Sequence, residues 1–310
     1  MKIPGSFTAG DFLHILATGE YSEAGVMQMR CQWEAYIKLL PGWLHEPVDK
    51  LGKETLTELR LRVGHPAQIV QHSRSLWLER IVRPEDIDFC INTASHYSPW
   101  AAKTADKGFI TAEGGHRIGI CGDAVIKNGQ WSGFRKITSL CIRVARDIPD
   151  LAYNLRDTSG STLIIGPPGS GKTTLLRDFI RQRSRYSGQS IAVLDERGEL
   201  FPMSNNVSAF PPGPTTDILT GCTKQVGIDS LIRCMGPSVI VLDEITAAED
   251  CIALMHAAWC GVELLATAHA GSKQDLYMRS VYRPLVESKL FQNLIILRPD
   301  RTWTLERINA

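Results

Sequence analysis

The chain has no apolar stretch of about 18 residues free of charge, so no segment of it reads as a bilayer-spanning helix. Its first residues also lack the basic segment and following apolar run of a signal peptide, and the expectation is a soluble protein, peripheral to a membrane at most. An excess of one charge is missing too. The 310 residues carry 34 Lys+Arg against 33 Asp+Glu, and the balance is 18 against 17 over residues 1–150 and 16 against 16 over 151–310. Neither half is a polybasic platform, which argues against nucleic acid or anionic lipid as a bulk electrostatic partner; no nucleic-acid partner is expected. The eight cysteines (Cys31, Cys90, Cys121, Cys141, Cys222, Cys234, Cys251 and Cys260) contain no CxxC pair and no Cys/His spacing of the zinc-site kind. They read as buried apolar residues of a reduced, cytoplasmic protein. Repeats and low-complexity tracts are absent as well, which leaves composition breaks and turn signals to mark the boundaries.

What is present fills two domains, each long enough to bury a core without disulfides or metals. The clearest break is Asp147-Ile148-Pro149-Asp150. Before it, Glu58–Val63, Gln68–Val70, Phe109–Ala112 and His116–Cys121 read as strands, with a Gly-His-Pro turn, a Gly114-Gly115 hairpin and a helix starting at Pro84. Residues 1–150 are therefore expected to form a small α+β domain, with 1–40 a poorly defined lead segment. From 151 to 310 the pattern changes to strand–helix alternation, which predicts a mainly parallel sheet with helices on both faces. Strands are expected at 162–165, 191–195, 239–243 and 263–267, and helices at 172–183, near 225–234, at 247–259 and near 273–280. The prolines and glycines of 202–223 predict a long loop.

The chemistry begins with Gly166-Pro167-Pro168-Gly169-Ser170-Gly171-Lys172-Thr173, a complete P-loop pattern, followed by Thr174. The apolar run Thr162–Ile165 precedes it and a helical pattern follows, which is the context that separates a P-loop from a surface turn of similar composition. Glycines let the backbone wrap a phosphate chain, while successive N–H groups and the helix N-terminus offer partial positive charge. Lys172 is placed for the β- and γ-phosphates and Thr173 for Mg²⁺. ATP and Mg²⁺ are the expected ligands.

Val239-Ile240-Val241-Leu242-Asp243-Glu244 puts two carboxylates at the end of a buried strand, in the form of a Walker B element. Asp243 suits the metal shell and Glu244 the attacking water. Ile191–Asp195 is another buried strand ending in acids, which makes Glu196 a catalytic candidate. Ion pairing within Asp195-Glu196-Arg197 is an equally open reading. Leu264-Leu265-Ala266-Thr267-Ala268-His269 ends where a γ-phosphate sensor would sit, and His269 is the candidate.

These elements, with Leu231–Pro237 just before Walker B, resemble the stage III sporulation protein AA family, relatives of the type II and type IV secretion and pilus motor ATPases. The resemblance runs over roughly residues 40–308. It includes Glu58–Gly64, His96-Tyr97-Ser98, Gly108–Thr111, Gly114-Gly115-His116-Arg117-Ile118-Gly119, Ile142–Arg146 and the box Asp195-Glu196-Arg197-Gly198-Glu199. It implies an α/β fold, a RecA-like P-loop ATPase core preceded by the smaller α+β domain. It also implies a mother-cell ATPase that hydrolyses ATP and assembles with itself into a hexameric ring. Its partners would be membrane proteins of a secretion-like channel, at the membrane facing the forespore. By match, Arg117, Arg143 and Arg146 are candidates to approach the nucleotide, and Arg233 is a further one within the core; interdomain or surface ion pairs are their alternative role.

The chain departs from the family pattern at two places. Thr246-Ala247 follows Ile245 where the family has Gly-Arg, and Thr215 stands where the family has an arginine. Two cations are missing, which keeps open a nucleotide-binding assembly or regulatory subunit with little turnover. A nucleic-acid translocase shares the same core but not the charge or motifs of one.

Overall fold

A computed structural model of the chain describes residues 29–71, 74–96, 108–204 and 207–308. They divide into two compact units, residues 29–147 with 202–209, and residues 148–201 with 210–308. Tyr97, Ser98 and most of the stretch expected as a lead segment lie outside the described residues.

In the first unit, helices α1 (Trp33–Lys38) and α2 (Gly42–Asp49) and the single turn α3 (Gly52–Thr55) precede three strands. These are β1 (Leu56–Arg62), β2 (Pro66–Gln71) and β3 (Ser75–Ile81), followed by helix α4 (Pro84–His96). Strands β4 (Phe109–Thr111), β5 (Arg117–Lys127) and β6 (Gln130–Arg143) complete an antiparallel sheet in the order β3-β2-β1-β6-β5-β4. The period of two sorts its side chains. Leu59, Leu61, Ile69, Ile118, Ile120, Leu140 and Ile142 join Tyr36, Leu39 and Leu44 from α1–α2 and Ile87 and Cys90 from α4 in one core. Glu58, Arg60, Arg62, Arg117 and Arg143 fill the intervening positions and so fall on the other face.

Two details differ from the expectation. Residues 33–40, expected to be part of a poorly defined lead, form α1 and the two residues after it and bury Tyr36, Leu39 and Leu40, with Tyr36 Oη donating to Ile142 O at 3.1 Å. The β5–β6 hairpin runs well past Cys121, to a tight Asn128-Gly129 turn. Between β4 and β5, Gly114 has φ +76°, and a Cβ there would sit 2.8 Å from Gln32 Cβ and 2.9 Å from His116 Nε2. Only glycine fits that corner.

The core unit contains β7 (Thr162–Ile165), α5 (Lys172–Tyr186) and β8 (Ile191–Asp195). After it, β9 (Met203–Ser204) and β10 (Val207–Ser208) pair within the excursion assigned to the first unit. The core continues with β11 (Thr216–Thr220), α6 (Lys224–Met235), β12 (Val239–Ile245), α7 (Ala248–Trp259) and β13 (Glu263–Ala268). It closes with α8 (Lys273–Met278), α9 (Arg283–Glu287), β14 (Asn293–Leu297) and β15 (Trp303–Arg307). The sheet order is β11-β8-β12-β13-β7-β14-β15, parallel except for β15.

Val239–Leu242 are fully buried, as an unbroken β-branched and apolar run requires of a central parallel strand. Each such side chain contributes on the order of 2 kcal/mol of burial. Leu163, Ile165, Leu194, Ile240, Leu242 and Ala266 pack with Ile228 and Leu231 of α6 and with Cys251 and Leu254 of α7. The alternate residues Ile164, Val193, Val241 and Leu265 are equally buried, and α5 packs across β7 and β13 with Leu175, Leu176, Phe179 and Ile180 inward.

The loop expected over 202–223 is a correction. Thr216–Thr220 is an edge strand pairing in parallel with Ile191–Asp195, and Ile191 N–H donates to Thr215 O at 2.9 Å. Its residues are half-buried or exposed and mostly polar, so its strand character comes from the β8 edge beside it rather than from its own periodicity. The short strands β14 and β15 and helix α9 are further elements that local pattern did not mark.

Candidate functional site

Strand β7 ends at Ile165 and delivers the chain into the loop that opens α5. Gly169 and Gly171 have φ +75° and +96°, and Gly171 is the residue that caps α5 from the left-handed region. A side chain would cost about 1–2 kcal/mol at either place. Because the first N–H groups of a helix have no partner within it, the loop and the first turn of α5 form an anion cradle. Ser170 Oγ is buried there without a hydrogen-bond partner, while Pro168 and Gly169 form the exposed crest. A phosphate chain fits this arrangement.

Lys172 is 6% exposed, and its Nζ donates to Gly166 O and Pro167 O, both at 2.9 Å. It also lies 3.0 Å from His269 Nδ1. Burial lowers the Lys172 pKa, and the nearby carboxylates Asp243 and Glu244 oppose that shift. With Nδ1 accepting from the ammonium, the imidazole proton sits on Nε2, which is 3.0 Å from Glu244 Oε1. His269 thus bridges the P-loop lysine and the second Walker B carboxylate.

Asp243 is held on both oxygens: Thr173 Oγ1 donates to Oδ2 at 2.9 Å and Thr267 Oγ1 to Oδ1 at 2.7 Å. Thr267 Oγ1 in turn accepts Glu244 N–H at 2.7 Å. Glu244 has φ +61°, rare for a residue with a side chain, and its Oε2 lies 3.3 Å from Arg197 Nη1. Among the described residues no group of three His, Cys, Asp or Glu could hold a metal ion by itself. Thr173 and Asp243 supply a hard-oxygen pair of the kind Mg²⁺ uses when phosphate and water complete its shell.

Strand order brings these groups together. β13 lies between β7 and β12, so His269 follows a strand that separates the P-loop from Walker B and reaches both. β8 flanks β12 on its other side, and Asp195, Glu196, Arg197, Lys224, Asp243 and Glu244 line a small cleft with room for about 20 Å³. Asp195 itself is buried and accepts Glu199 N–H and Phe201 N–H at 2.8 and 2.9 Å, which fixes the turn after β8. Desolvation pushes its pKa up to about 6. Glu196 is near the rim, with Oε2 4.0 Å from Lys224 Nζ. The ion pairing read within Asp195-Glu196-Arg197 is not what forms, since Arg197 reaches across to Glu244.

The arginines are dispersed. Arg233 is exposed nine residues beyond Lys224 on α6, roughly 13 Å along the helix axis, and is not part of this cluster. In the first unit, Arg117 stacks over Phe109 at 4.3 Å, and Arg143 Nε pairs with Glu58 Oε2 at 3.4 Å. Arg146 donates from Nε to Lys53 O at 2.7 Å and from Nη2 to Leu56 O. At the two departures, Thr215 Oγ1 donates to Gln189 O at 2.7 Å, and Thr246 N–H and Ala247 N–H donate to Asp250 Oδ2. Sequence reasoning missed Lys224, Thr267 and Tyr282, and took Arg197 for an ion-pair partner within its own box. Tyr282 Oη accepts His269 N–H and donates to Ile245 O, both at 3.2 Å. The polar Thr267 before His269 was the one readable signal among them.

No helix among the described residues is long and apolar enough to cross a membrane. Residues 42–304 match the family model for sporulation stage III, protein AA. The chain is 34% identical over 252 residues to stage III sporulation protein AA of Bacillus subtilis (strain 168), spanning 78% of this chain and 82% of that protein. Among solved structures it is similar to the pilus retraction motor PilT with bound ADP, at TM-score 0.57 and 14% identity over 86% of this chain and 82% of that one. It is also similar to the Legionella pneumophila ATPase DotB, at TM-score 0.52 and 17% identity over 86% and 80%. At such identities the likeness is one of fold, a RecA-like core after an N-terminal domain.

Proposed function

The chain belongs to the stage III sporulation protein AA family, and we propose that it is an ATP-binding and ATP-hydrolysing motor of a secretion-like channel between mother cell and forespore. The observation that carries this reading is the continuous chain Lys172–His269–Glu244–Arg197 beside an Asp243 pinned by Thr173 and Thr267.

In this reading the amides of 169–174 and Lys172 bind the phosphates, and Lys172 exchanges the carbonyls of Gly166 and Pro167 for phosphate oxygens. Mg²⁺, held through Thr173 and Asp243, would offset phosphate charge. Glu244 orients water and takes its proton as the oxygen attacks the γ-phosphorus and the bond to the β-phosphate oxygen breaks. His269 touches both Lys172 and Glu244, so γ-phosphate at Lys172 is communicated to the group that activates water. Glu196, at the pocket rim, serves as an auxiliary carboxylate. Assembly into a hexameric ring, contact with membrane proteins of the channel, and a cytoplasmic position at the membrane facing the forespore belong to this proposal. So does a division of labour in which residues 151–310 hold nucleotide while residues 1–150 supply Arg117, Arg143 or Arg146, with Arg233 acting toward a neighbouring copy.

A second reading, an assembly subunit with little turnover, is favoured by the threonine and alanine at positions 215 and 247. An ATPase assay at high protein concentration, with and without the partner membrane protein, separates the two. Lys172→Ala should abolish tight binding of a fluorescent ATP analogue, whereas Glu244→Gln should keep binding and lower kcat by about 100-fold or more. Equal loss of affinity in both variants would remove Glu244 from the role given to it here.

A further inference from the structure

We infer that Lys224 is a positioning residue: it holds the Glu244 peptide in its left-handed conformation and thereby aims the Glu244 carboxylate. The inference rests on the reading of Glu244 as the group that activates water. A non-glycine residue at φ +61° persists only where its surroundings impose that conformation. Two hydrogen bonds do so here. Glu244 N–H donates to Thr267 Oγ1 at 2.7 Å, and Glu244 O accepts from Lys224 Nζ at 2.5 Å, so the backbone is pinned on both sides of the residue.

Lys224 is itself fixed. It is the first residue of α6, 7% exposed, and its Nζ also donates to Asp250 Oδ2 at 2.9 Å and to Thr246 Oγ1 at 3.2 Å. Asp250 Oδ2 accepts the N–H groups of Thr246 and Ala247 at 2.8 and 3.1 Å, which ties the start of α7 to the same ammonium. A buried ammonium persists only when its donors are matched by acceptors, and here a carboxylate, a hydroxyl and the Glu244 carbonyl meet that need. Of the three acceptors, the Glu244 carbonyl is the one through which the ammonium holds the residue with the left-handed φ. None of the Lys224 hydrogen bonds reaches the P-loop, so its effect falls on aim rather than on nucleotide affinity.

Two measurements on the full chain test this. In steady-state turnover, Lys224→Met should lower kcat by about tenfold or more with KM for ATP within about twofold, and Lys224→Arg should recover part of the loss. In the Glu244→Gln background the same Lys224→Met change should cost no more than about a further twofold, because there is no carboxylate left to aim. Independent losses in the two backgrounds overturn the inference. Thermal unfolding gives an answer that needs no hydrolysis. Lys224→Met strands Asp250 in any background, but glycine adopts the left-handed conformation unaided, so the Tm loss should be smaller in the Glu244→Gly background than in the natural chain by about 2 °C or more. Equal Tm losses overturn it. An inactive natural chain would count against the hydrolytic reading, while the unfolding comparison would still decide the part played by Lys224.

Discussion

The two units handle their charged side chains in opposite ways. In the antiparallel first unit, Glu58, Arg143 and Arg117 stand side by side across β1, β6 and β5, spread along an open sheet face. In the parallel core both faces are buried. One set of charged groups, Lys172, Asp195, Lys224, Asp243 and Glu244, gathers beyond the carboxyl ends of β7, β8, β12 and β13, while Asp178, Arg181 and Arg183 are buried in pairs along α5. A parallel sheet aims all its strand ends at one edge, whereas antiparallel strands alternate direction and can collect side chains only on a face. Convergence on a small ligand is therefore a property of the core, and the first unit offers a surface.

The sharpest test of that contrast compares one cation from each unit. Lys172→Ala should weaken ATP-analogue binding by about 100-fold or more if Lys172 contacts phosphate as proposed. Arg146→Ala should leave that affinity within about threefold and lower Tm instead, because its guanidinium caps the carbonyls of Lys53 and Leu56. A large affinity loss in Arg146→Ala would make it, rather than Arg117 or Arg143, the arginine that acts on the nucleotide.

Arg143→Ala is the next most informative change. Its side chain is 61% exposed and its pairing with Glu58 contributes little to stability. A fall in kcat of about tenfold or more at unchanged Tm is expected if this arginine reaches a nucleotide, as trans-acting arginines do in other P-loop enzymes. Unchanged kcat in both Arg117→Ala and Arg143→Ala would confine catalysis to the core.

Two buried groups, one in each unit, should also answer acid with opposite signs. His116 is buried, accepts Ala145 N–H on Nδ1 at 3.1 Å and lies 3.0 Å from Gln32 O through Nε2, and burial lowers its pKa to about 4. The unfolded chain then binds the extra proton between about pH 6.5 and 4, so this group removes up to roughly 3 kcal/mol of stability as pH falls through that window. Asp195, raised to about 6, binds its proton more readily when folded. It therefore adds stability of the same order as pH falls from about 6 toward 4. Thermal unfolding at pH 7.5 and 4.5 should show His116→Gln losing less stability on acidification than the natural chain, and Asp195→Asn losing more. Parallel pH slopes in all three proteins would refute both assignments.

The smallest expected effect is a gain. Ala247→Arg alone keeps the Thr246 hydroxyl that Lys224 uses and puts the arginine expected from the family pattern beside Glu244; kcat should rise a few-fold while KM changes little, provided the new cation faces developing phosphate charge. A flat kcat in a folded variant would mean that Arg197, already 3.3 Å from Glu244, supplies the local positive charge.

Much of the core was legible because its signals are local. The P-loop glycines, the apolar run into Asp243 and Glu244, and the alternation of strands with helices each follow from neighbouring residues. Thr216–Thr220 was not legible, since a polar edge strand acquires its identity from the strand it joins. The partner of Arg197 and the whole role of Lys224 were invisible for a related reason: Glu244 and Asp250 lie 47 and 26 positions away from them. The match to the N-terminal segments marked His116 and Arg146 as notable without revealing that both are held by backbone groups of their own unit.

The sequence by itself determined the glycine-rich loop before α5, the two carboxylates and the α/β character of the core, because glycine conformation, helix starts and strand periodicity depend on residues close in the chain. Tertiary structure alone decided that β13 runs between the P-loop strand and the Walker B strand. That placement sets His269 within 3.0 Å of both Lys172 and Glu244. Strand order is a contest among long-range pairings whose energies differ only in the packing of the whole sheet, and no local pattern encodes its outcome.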